Sequence, residues 1–286
     1  MSTTIDTTIE LTDTHLEYHS IADVRGMSGL RLVLGKYTVP GPWREACKGI
    51  FHVKGLLYAP VVTGNAGTPD AAMGMHDTQT ELQAWTGQSS QPVAVWNDER
   101  PRAGWVDQLN LAERLQPQPQ LIPSVIGERM LMFGLINEIA GEYGLGWQKR
   151  VLTVHSHLRT LESGADARKF FAFMGGKYGY TEAIAAAAPA RIASILTTLD
   201  AQLSAQQRAG RRYLIGDGLS AVDIHWAVHC GFLNPLPPAL CPMASAFRHP
   251  DIYGNDDPLI AAALSPALLA HRDFIYEQHL ELPVVF

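Results

Sequence analysis

The chain has 286 residues, a net charge of −6, 47% hydrophobic residues and 17% charged residues. This length exceeds what one hydrophobic core usually serves and suits two modest domains. The acidic balance excludes the basic footprint of a nucleic-acid-binding protein. Three cysteines without a CxxC pair exclude a disulfide framework. The first 20 residues lack the basic and apolar regions of a signal peptide, and no apolar run approaches the roughly 20 residues that cross a membrane. We therefore expect a cytoplasmic protein.

The first half of the chain carries a strand, a helix and a second strand after an N-terminal extension of residues 1–27. The apolar run "LRLVLG" (30–35) predicts a buried strand. Helical spacing predicts a helix over 43–55, which ends at a glycine. A second apolar run, "LLYAPVV" (56–62), predicts the next strand. Two strands joined by a helix form a βαβ unit, so we expect these two strands to be parallel.

The next elements are a third strand and an amphipathic helix. A polar stretch contains one predicted helix near "TQTELQAW". The segment 91–98 reads as a strand that begins with a proline, and 104–115 as an amphipathic helix. The prolines in "QPQPQ" (116–120) cannot continue that helix, so they mark a short, stiff linker.

The second half reads as helical throughout. In "DGLSAVDIHWAVHC" (217–230), Ser220 stands three residues before Asp223 at the start of an apolar helix. This spacing predicts a capping box, which satisfies backbone N–H groups at the start of a buried helix. The pattern predicts helices at about 123–146, 149–163, 180–207, 220–233 and 258–280.

Together these features resemble the cytosolic glutathione transferases. The segment "YLIGDGLSAVDIHWA" (213–227) is similar to that family's "FLxGDxxSxADI" signature around a buried helix. The resemblance spans about 29–235. It implies a thioredoxin-like, glutathione-binding domain over 28–116, an all-helical domain over 121–286, and a folding role for the Ser220–Asp223 box.

The resemblance also implies a glutathione site at two points of the first domain. Gln91-Pro92 falls where the family has a cis proline, with the preceding residue pairing its backbone with glutathione. Such a bond turns the chain sharply and presents backbone groups to an extended ligand. Asp107-Gln108 falls where the family has an acidic or amide residue followed by a hydroxyl residue. Asp107 keeps the carboxylate for the ligand's ammonium, whereas Gln108 replaces the hydroxyl. Asp107 also fits a plain acidic residue in the first turn of a helix.

A thiol must lose its proton before it attacks, because the thiolate is the nucleophile. A hydroxyl hydrogen bond and the positive end of a helix both favour the thiolate. Two registers compete for that hydroxyl in "GKYTVPGPWREAC". The tyrosine-type register places it on Tyr37. The serine- or cysteine-type register places it on Gly41, which has no side chain, and leaves Thr38 as the remaining hydroxyl. Cys47 lies inside the predicted helix and fits packing rather than reaction.

The family places its electrophile pocket between the first domain and the opening helices of the second. Trp43 precedes that boundary, and "ERMLMFGLINEIAGEYGLGW" (128–147) supplies an adaptable apolar wall. The candidate pocket residues are Trp43, Met130, Phe133 and Tyr143. His225 and His229 have a spacing that can hold zinc, but their place in a buried apolar helix favours core histidines, so we expect no metal.

The resemblance implies a glutathione-dependent transferase that acts on a small hydrophobic electrophile, as in detoxification. Conjugation, ether cleavage, dehalogenation and isomerisation share the first step and are not separated by these residues. The alternative is a binding protein on the same fold that has lost the reaction, since Gly41 and the Asp107-Gln108 pair depart from the family pattern. The family is usually homodimeric, so we expect a homodimer that binds neither nucleic acid nor membranes.

Overall fold

A three-stranded mixed sheet organises the N-terminal part of the computed structural model, which describes residues 17–35, 39–63 and 79–285. The strand order is β2-β1-β3, where β1 is Leu30–Val33, β2 is Ala59–Val61 and β3 is Val93–Trp96. Strand β1 pairs with β2 in parallel, as the βαβ pattern predicts, and with β3 antiparallel. Every residue of β1 is buried, including the charged Arg31, so both faces of the strand are covered, in line with its otherwise apolar sequence.

Within the described residues, four helices accompany this sheet. The predicted helix after β1 is confirmed as α2 (Pro42–Val53), and the helix after the third strand as α4 (Trp105–Leu115). The polar stretch contains α3 (Thr80–Thr86), close to its predicted place. A short α1 (Ile21–Val24), which the sequence pattern did not indicate, packs its two buried residues beside the sheet.

The C-terminal part is helical, as predicted, but its helices are divided differently. The observed helices are α5 (Ile126–Ala140), α6 (Leu145–Thr160), α7 (Asp166–Lys177), α8 (Glu182–Arg208), α9 (Ala221–Cys230), α10 (Pro258–Ala263) and α11 (Pro266–His279).

The predicted helix over 123–146 is wrong at its C-terminal end, because the chain turns at "GEYG" (141–144). A Cβ on Gly144 would lie 2.7 Å from the carbonyl oxygen of Glu138, so only glycine permits this close approach. Likewise, 258–280 is two helices separated near Ser265, whose side chain caps α11. Helix α7 was missed.

Helix α9 lies at the centre of the molecule. All ten of its residues are buried, and it packs against α2 of the first part as well as α5 and α11 of the second. This position matches the sequence expectation of a buried helix.

Helix α8 is the part of the structure that bears on the expectation about membranes. Within the described residues it is the one helix, of 27 residues, that is long and apolar enough to cross a bilayer. One such helix is weak evidence, because core helices pass the same test. Here α8 packs against α6 and α10.

Candidate functional site

The loop between β1 and α2 is held in place by an arginine. Arg44 donates from Nη1 to the Leu34 carbonyl at 3.0 Å and from Nη2 to the Val39 carbonyl at 2.9 Å. A Cβ on Gly41 would lie 2.6 Å from Arg44 Nε. Arg44 therefore packs directly against Gly41 where it braces the loop, and a side chain at position 41 would require the end of the Arg44 side chain to shift.

The two predicted hydroxyl donors belong to this loop. Tyr37 and Thr38 lie outside the described residues, so their roles stay predictions. On the far side of the loop, the buried Tyr253 donates its hydroxyl to the Pro40 carbonyl. The loop is thus anchored by α2 on one side and by the helical part on the other.

The Gln91-Pro92 bond is cis, as predicted, and it stands directly before β3. The Gln91 amide donates to Thr63 Oγ1 at 2.5 Å, at the end of β2, and to Gln79 Oε1 at 3.3 Å. Its Oε1 is buried without a hydrogen-bond partner among the described residues. The side chain therefore points inward. The role of its backbone in ligand binding stays a prediction.

Gln108 is buried and supports this turn from α4. Its Nε2 donates to the carbonyl of Pro92 at 3.1 Å and to those of Arg102 and Ala103, both at 3.2 Å. The amide hydrogens are thus committed to the backbone in this structure. We expected Gln108 to donate to a ligand instead, and the structure shows a bracing contact that the sequence did not indicate.

Asp107 is partly exposed in the first turn of α4. Its carboxylate receives two hydrogen bonds from Arg100, at 3.1 and 3.3 Å. The hydrogen bonds from Arg100 hold the pKa of Asp107 below its usual value, so the group is anionic at neutral pH. A ligand ammonium at Asp107 would have to share the carboxylate with Arg100 or displace it.

The four candidate pocket residues do not form one wall. Trp43 lies between the two parts of the molecule, where its Nε1 donates to the Ala140 carbonyl at 2.7 Å. Phe133 packs against Trp105, with ring centroids 5.9 Å apart. Met130 is 69% exposed and Tyr143 is 58% exposed. Of the four, Trp43 is the residue whose ring contacts Tyr178 and Phe232 of the helical part.

An aromatic and basic cluster surrounds Trp43 at the boundary between the two parts. The rings of Tyr178 and Phe232 lie 6.4 and 6.1 Å from Trp43. Lys177, at the end of α7, donates to Ser90 Oγ at 2.7 Å, directly beside the cis bond. The sequence reasoning missed this cluster. The segment "GGKYGY" (175–180) carries Lys177 and Tyr178, but no sequence spacing links it to Ser90.

The Ser220–Asp223 capping box is confirmed, and it belongs to a larger buried network. Asp223 Oδ2 accepts from the Ser220 N–H at 3.0 Å and the Ser220 hydroxyl at 2.9 Å. Its Oδ1 accepts from the Leu214 N–H at 2.8 Å and bonds to His271 Nε2 at 2.9 Å. The box thus joins the start of α9 to α11 through His271 and to the segment before α9 through Leu214.

His225 and His229 are buried in α9, as the sequence favoured. Burial lowers the pKa of His225 well below its usual value and that of His229 to about 4. Both rings are therefore neutral at pH 7, and each meets a tryptophan of the first part: Trp105 for His225 and Trp43 for His229. No group of three or more potential metal ligands occurs in the described part of the chain. Cys47 is also buried, which raises its thiol pKa and supports a packing role.

The sequence matches no family model and no curated protein. Its fold, however, matches solved glutathione transferases. One, from Xanthobacter autotrophicus, gives a TM-score of 0.54 at 17% identity and covers 88% of this chain and 96% of that chain. One from Methylobacterium radiotolerans, in complex with glutathione sulfonate, gives 0.54 at 18% identity over 87% and 91%. A rice enzyme in complex with glutathione gives 0.55 at 16% identity over 90% and 93%.

These likenesses confirm the expected fold class, a thioredoxin-like part followed by a helical part. The chain has the fold of the cytosolic glutathione transferases. At 16–18% identity, these comparisons establish the fold, and a shared fold does not by itself establish a shared function.

Proposed function

We propose that this chain, with its glutathione-transferase fold, binds glutathione at the turn before β3 and stabilises its thiolate for attack on an apolar electrophile. The observation that carries the proposal is the turn at Gln91-Pro92 directly before β3, which Gln108 braces by donating from Nε2 to the Pro92 carbonyl at 3.1 Å. The outer edge of β3 is bonded to Arg102 at Ala94, so the backbone proposed to meet an extended peptide ligand is that of Gln91, before the proline. Two of the structural neighbours were solved with glutathione or its sulfonate.

The proposed chemistry begins with loss of the thiol proton to solvent. Tyr37, with Thr38 as the second candidate, would donate a hydrogen bond to the sulfur, and the N-terminus of α2 adds its positive end. The sulfur then forms a bond to an electrophilic carbon, and the electron pair of the broken bond leaves with the displaced group. Asp107 would hold the ammonium of the ligand, and the backbone of Gln91 would pair with its central part.

A specific observation favours a second candidate, a binding protein that does not catalyse the reaction. Asp107 is already paired with Arg100, and Gln108 is used by the fold. A site with these commitments fits weak glutathione binding without activation. The two candidates differ in the ionisation of the bound thiol.

Calorimetric titration of glutathione into the purified protein tests the proposal. We expect micromolar-to-millimolar affinity, reduced in Asp107→Asn and unchanged in Asp98→Asn, an exposed carboxylate in the neighbouring turn. The ultraviolet signal of the bound thiolate should be lost in Tyr37→Phe if that hydroxyl is the donor. No heat at millimolar glutathione contradicts the proposal. Binding without a thiolate signal favours the second candidate.

The homodimer and the cytoplasmic location are also proposed. Val125, Ile126 and Met130 are exposed apolar side chains at the start of α5. A surface of this kind fits a subunit contact. Light scattering of the full chain should give about twice the mass of one chain, and a single-chain mass would contradict the dimer.

A further inference from the structure

Arg150 is the polar centre of the aromatic cluster at the boundary between the two parts. Its guanidinium lies 4.6 Å from the centre of the Phe232 ring and interacts with the Tyr178 hydroxyl. Phe232 in turn lies 5.1 Å from Tyr253, whose hydroxyl reaches the β1–α2 loop. Arg150 is therefore connected, through Phe232 and Tyr253, to Pro40 in the β1–α2 loop.

Arg150 has no carboxylate partner among the described residues, and its Nε is buried without a hydrogen bond there. The Arg150 side chain is partly buried, and a guanidinium drawn away from water is usually paired, since its desolvation is costly. The acidic neighbours Asp251 and Asp256 act on Lys149, which donates to the Pro250 carbonyl. Among the described residues, neither of these carboxylates forms an ion pair with Arg150.

Lys177 adds a second positive charge on the other side of Tyr178. Its Nζ lies 5.7 Å from the centre of the Tyr178 ring and bonds to Ser90, and it forms no ion pair with a described residue. Desolvation, and then the Arg150 charge, lower the pKa of Lys177. Two cations that repel each other across an aromatic ring are stabilised by an anion placed between them.

We infer that the second substrate of the proposed site is an aromatic compound that carries a carboxylate. Its ring would stack on Trp43 and Tyr178, which are half-buried, and its carboxylate would pair with the Arg150 guanidinium, with Lys177 at the rim. The inference rests on the proposed function, because it places this compound beside glutathione. It replaces a purely hydrophobic electrophile with an anionic one.

The test compares 1-naphthoate with its uncharged amide, 1-naphthamide, by calorimetry on the full chain, with and without saturating glutathione. We expect the acid to bind at least about tenfold more tightly than the amide, because a charge-assisted hydrogen bond distinguishes them. This preference should fall to about twofold or less in Arg150→Gln. It should persist in Arg159→Gln, a matched change of an exposed arginine on the same helix.

Equal affinity for acid and amide, or no binding of either, overturns the inference, as does a preference that survives in Arg150→Gln. Displacement of the acid by glutathione also overturns it, because the cations would then serve the thiol substrate. If Arg150→Gln does not fold, the wild-type ratio of acid to amide affinity and its change in Lys177→Gln test the inference. A wild-type preference for the acid that decreases in Lys177→Gln supports it, and an unchanged preference contradicts it. If the protein binds glutathione but shows no preference for the acid over the amide, this inference is wrong and the proposed function stands. An acid preference without glutathione binding removes the proposed function and leaves an anion site.

Discussion

Asp223 and Arg150 are both charged groups placed among buried side chains, but they differ in how many hydrogen-bond partners surround them. The two Asp223 oxygens accept hydrogen bonds from Ser220 and Leu214 and bond to His271, and the carboxylate is fully buried. Arg150 has a buried Nε without a partner among the described residues and aromatic rings around its guanidinium. A buried charge with a complete set of partners stabilises the fold. The partly buried Arg150 lacks such partners among the described residues, and the proposed anionic ligand would supply one; Arg31 and Arg248 also have an unpartnered Nε, so that feature alone does not mark a site.

Removing the satisfied charge should have the largest effect. Asp223→Ala leaves a buried histidine and two buried N–H groups without their acceptor, so we expect a loss of about 3–5 kcal/mol in the free energy of unfolding. The measurement is denaturant unfolding followed by circular dichroism.

The chain offers a matched control for that change. Ser20 and Asp23 form the same kind of capping box at the exposed start of α1. Asp23→Ala should cost much less. Equal losses at the two boxes would show that capping alone, and not the buried network, gives Asp223 its importance.

The buried histidines of α9 sharpen the comparison through pH. Burial holds the pKa of His229 at about 4 in the folded chain, below the ordinary value of 6.5. The unfolded chain therefore binds a proton that the folded chain excludes, and stability falls as the pH decreases from about 6.5 to about 4, by at most about 1.4 kcal/mol per pH unit.

His229→Phe should flatten this dependence, measured as unfolding midpoints between pH 7 and pH 4.5. His249→Gln, a change of an exposed histidine, should not alter the slope. An unchanged slope in His229→Phe would mean that other groups cause the acid sensitivity.

Gln108 tests whether a satisfied polar group near the candidate site supports binding. Gln108→Leu removes the donor to three carbonyls, including that of Pro92, so we expect a loss of about 1–3 kcal/mol in stability. Glutathione affinity, measured by calorimetry, should fall as well. Asn110→Leu, an exposed change on the same helix, should leave both unchanged. Unaltered glutathione affinity in a destabilised Gln108→Leu would separate the turn from the ligand.

The smallest effect is expected at the exposed Arg100–Asp107 pair. Arg100→Gln should leave the unfolding midpoint within error, because exposed ion pairs contribute little. It frees the Asp107 carboxylate, so glutathione should bind a few-fold more tightly. Arg114→Gln, which alters the separate pair with Glu99, is the control. Weaker glutathione binding in Arg100→Gln would assign Arg100 itself to the ligand.

Local rules predicted much of the fold. Strand β1 and helix α2 follow from short-range apolar patterns, and the start of α9 follows from the Ser220–Asp223 spacing. The cis bond at Gln91-Pro92 followed from the family resemblance. These features depend on residues that are close in the sequence, or they belong to a sequence motif of the family that the chain resembles.

The parts that could not be predicted depend on contacts between distant segments. The turn at Gly144 depends on the approach of its backbone to Glu138, which helical periodicity does not record. The bracing role of Gln108 requires Pro92, and the Lys177–Ser90 contact joins segments 87 residues apart. Candidate site residues that lie side by side in the sequence, such as Asp107 and Gln108, therefore have different surroundings in space.

The central claim is that this fold binds glutathione and favours its thiolate. An ultraviolet titration of the wild-type complex between about pH 5 and pH 9 measures the pKa of the bound thiol directly. We predict a value well below the roughly 8.5 of a free cysteine thiol, because a hydroxyl donor and the N-terminus of α2 both favour the anion. A titration curve identical to that of free glutathione would contradict the claim.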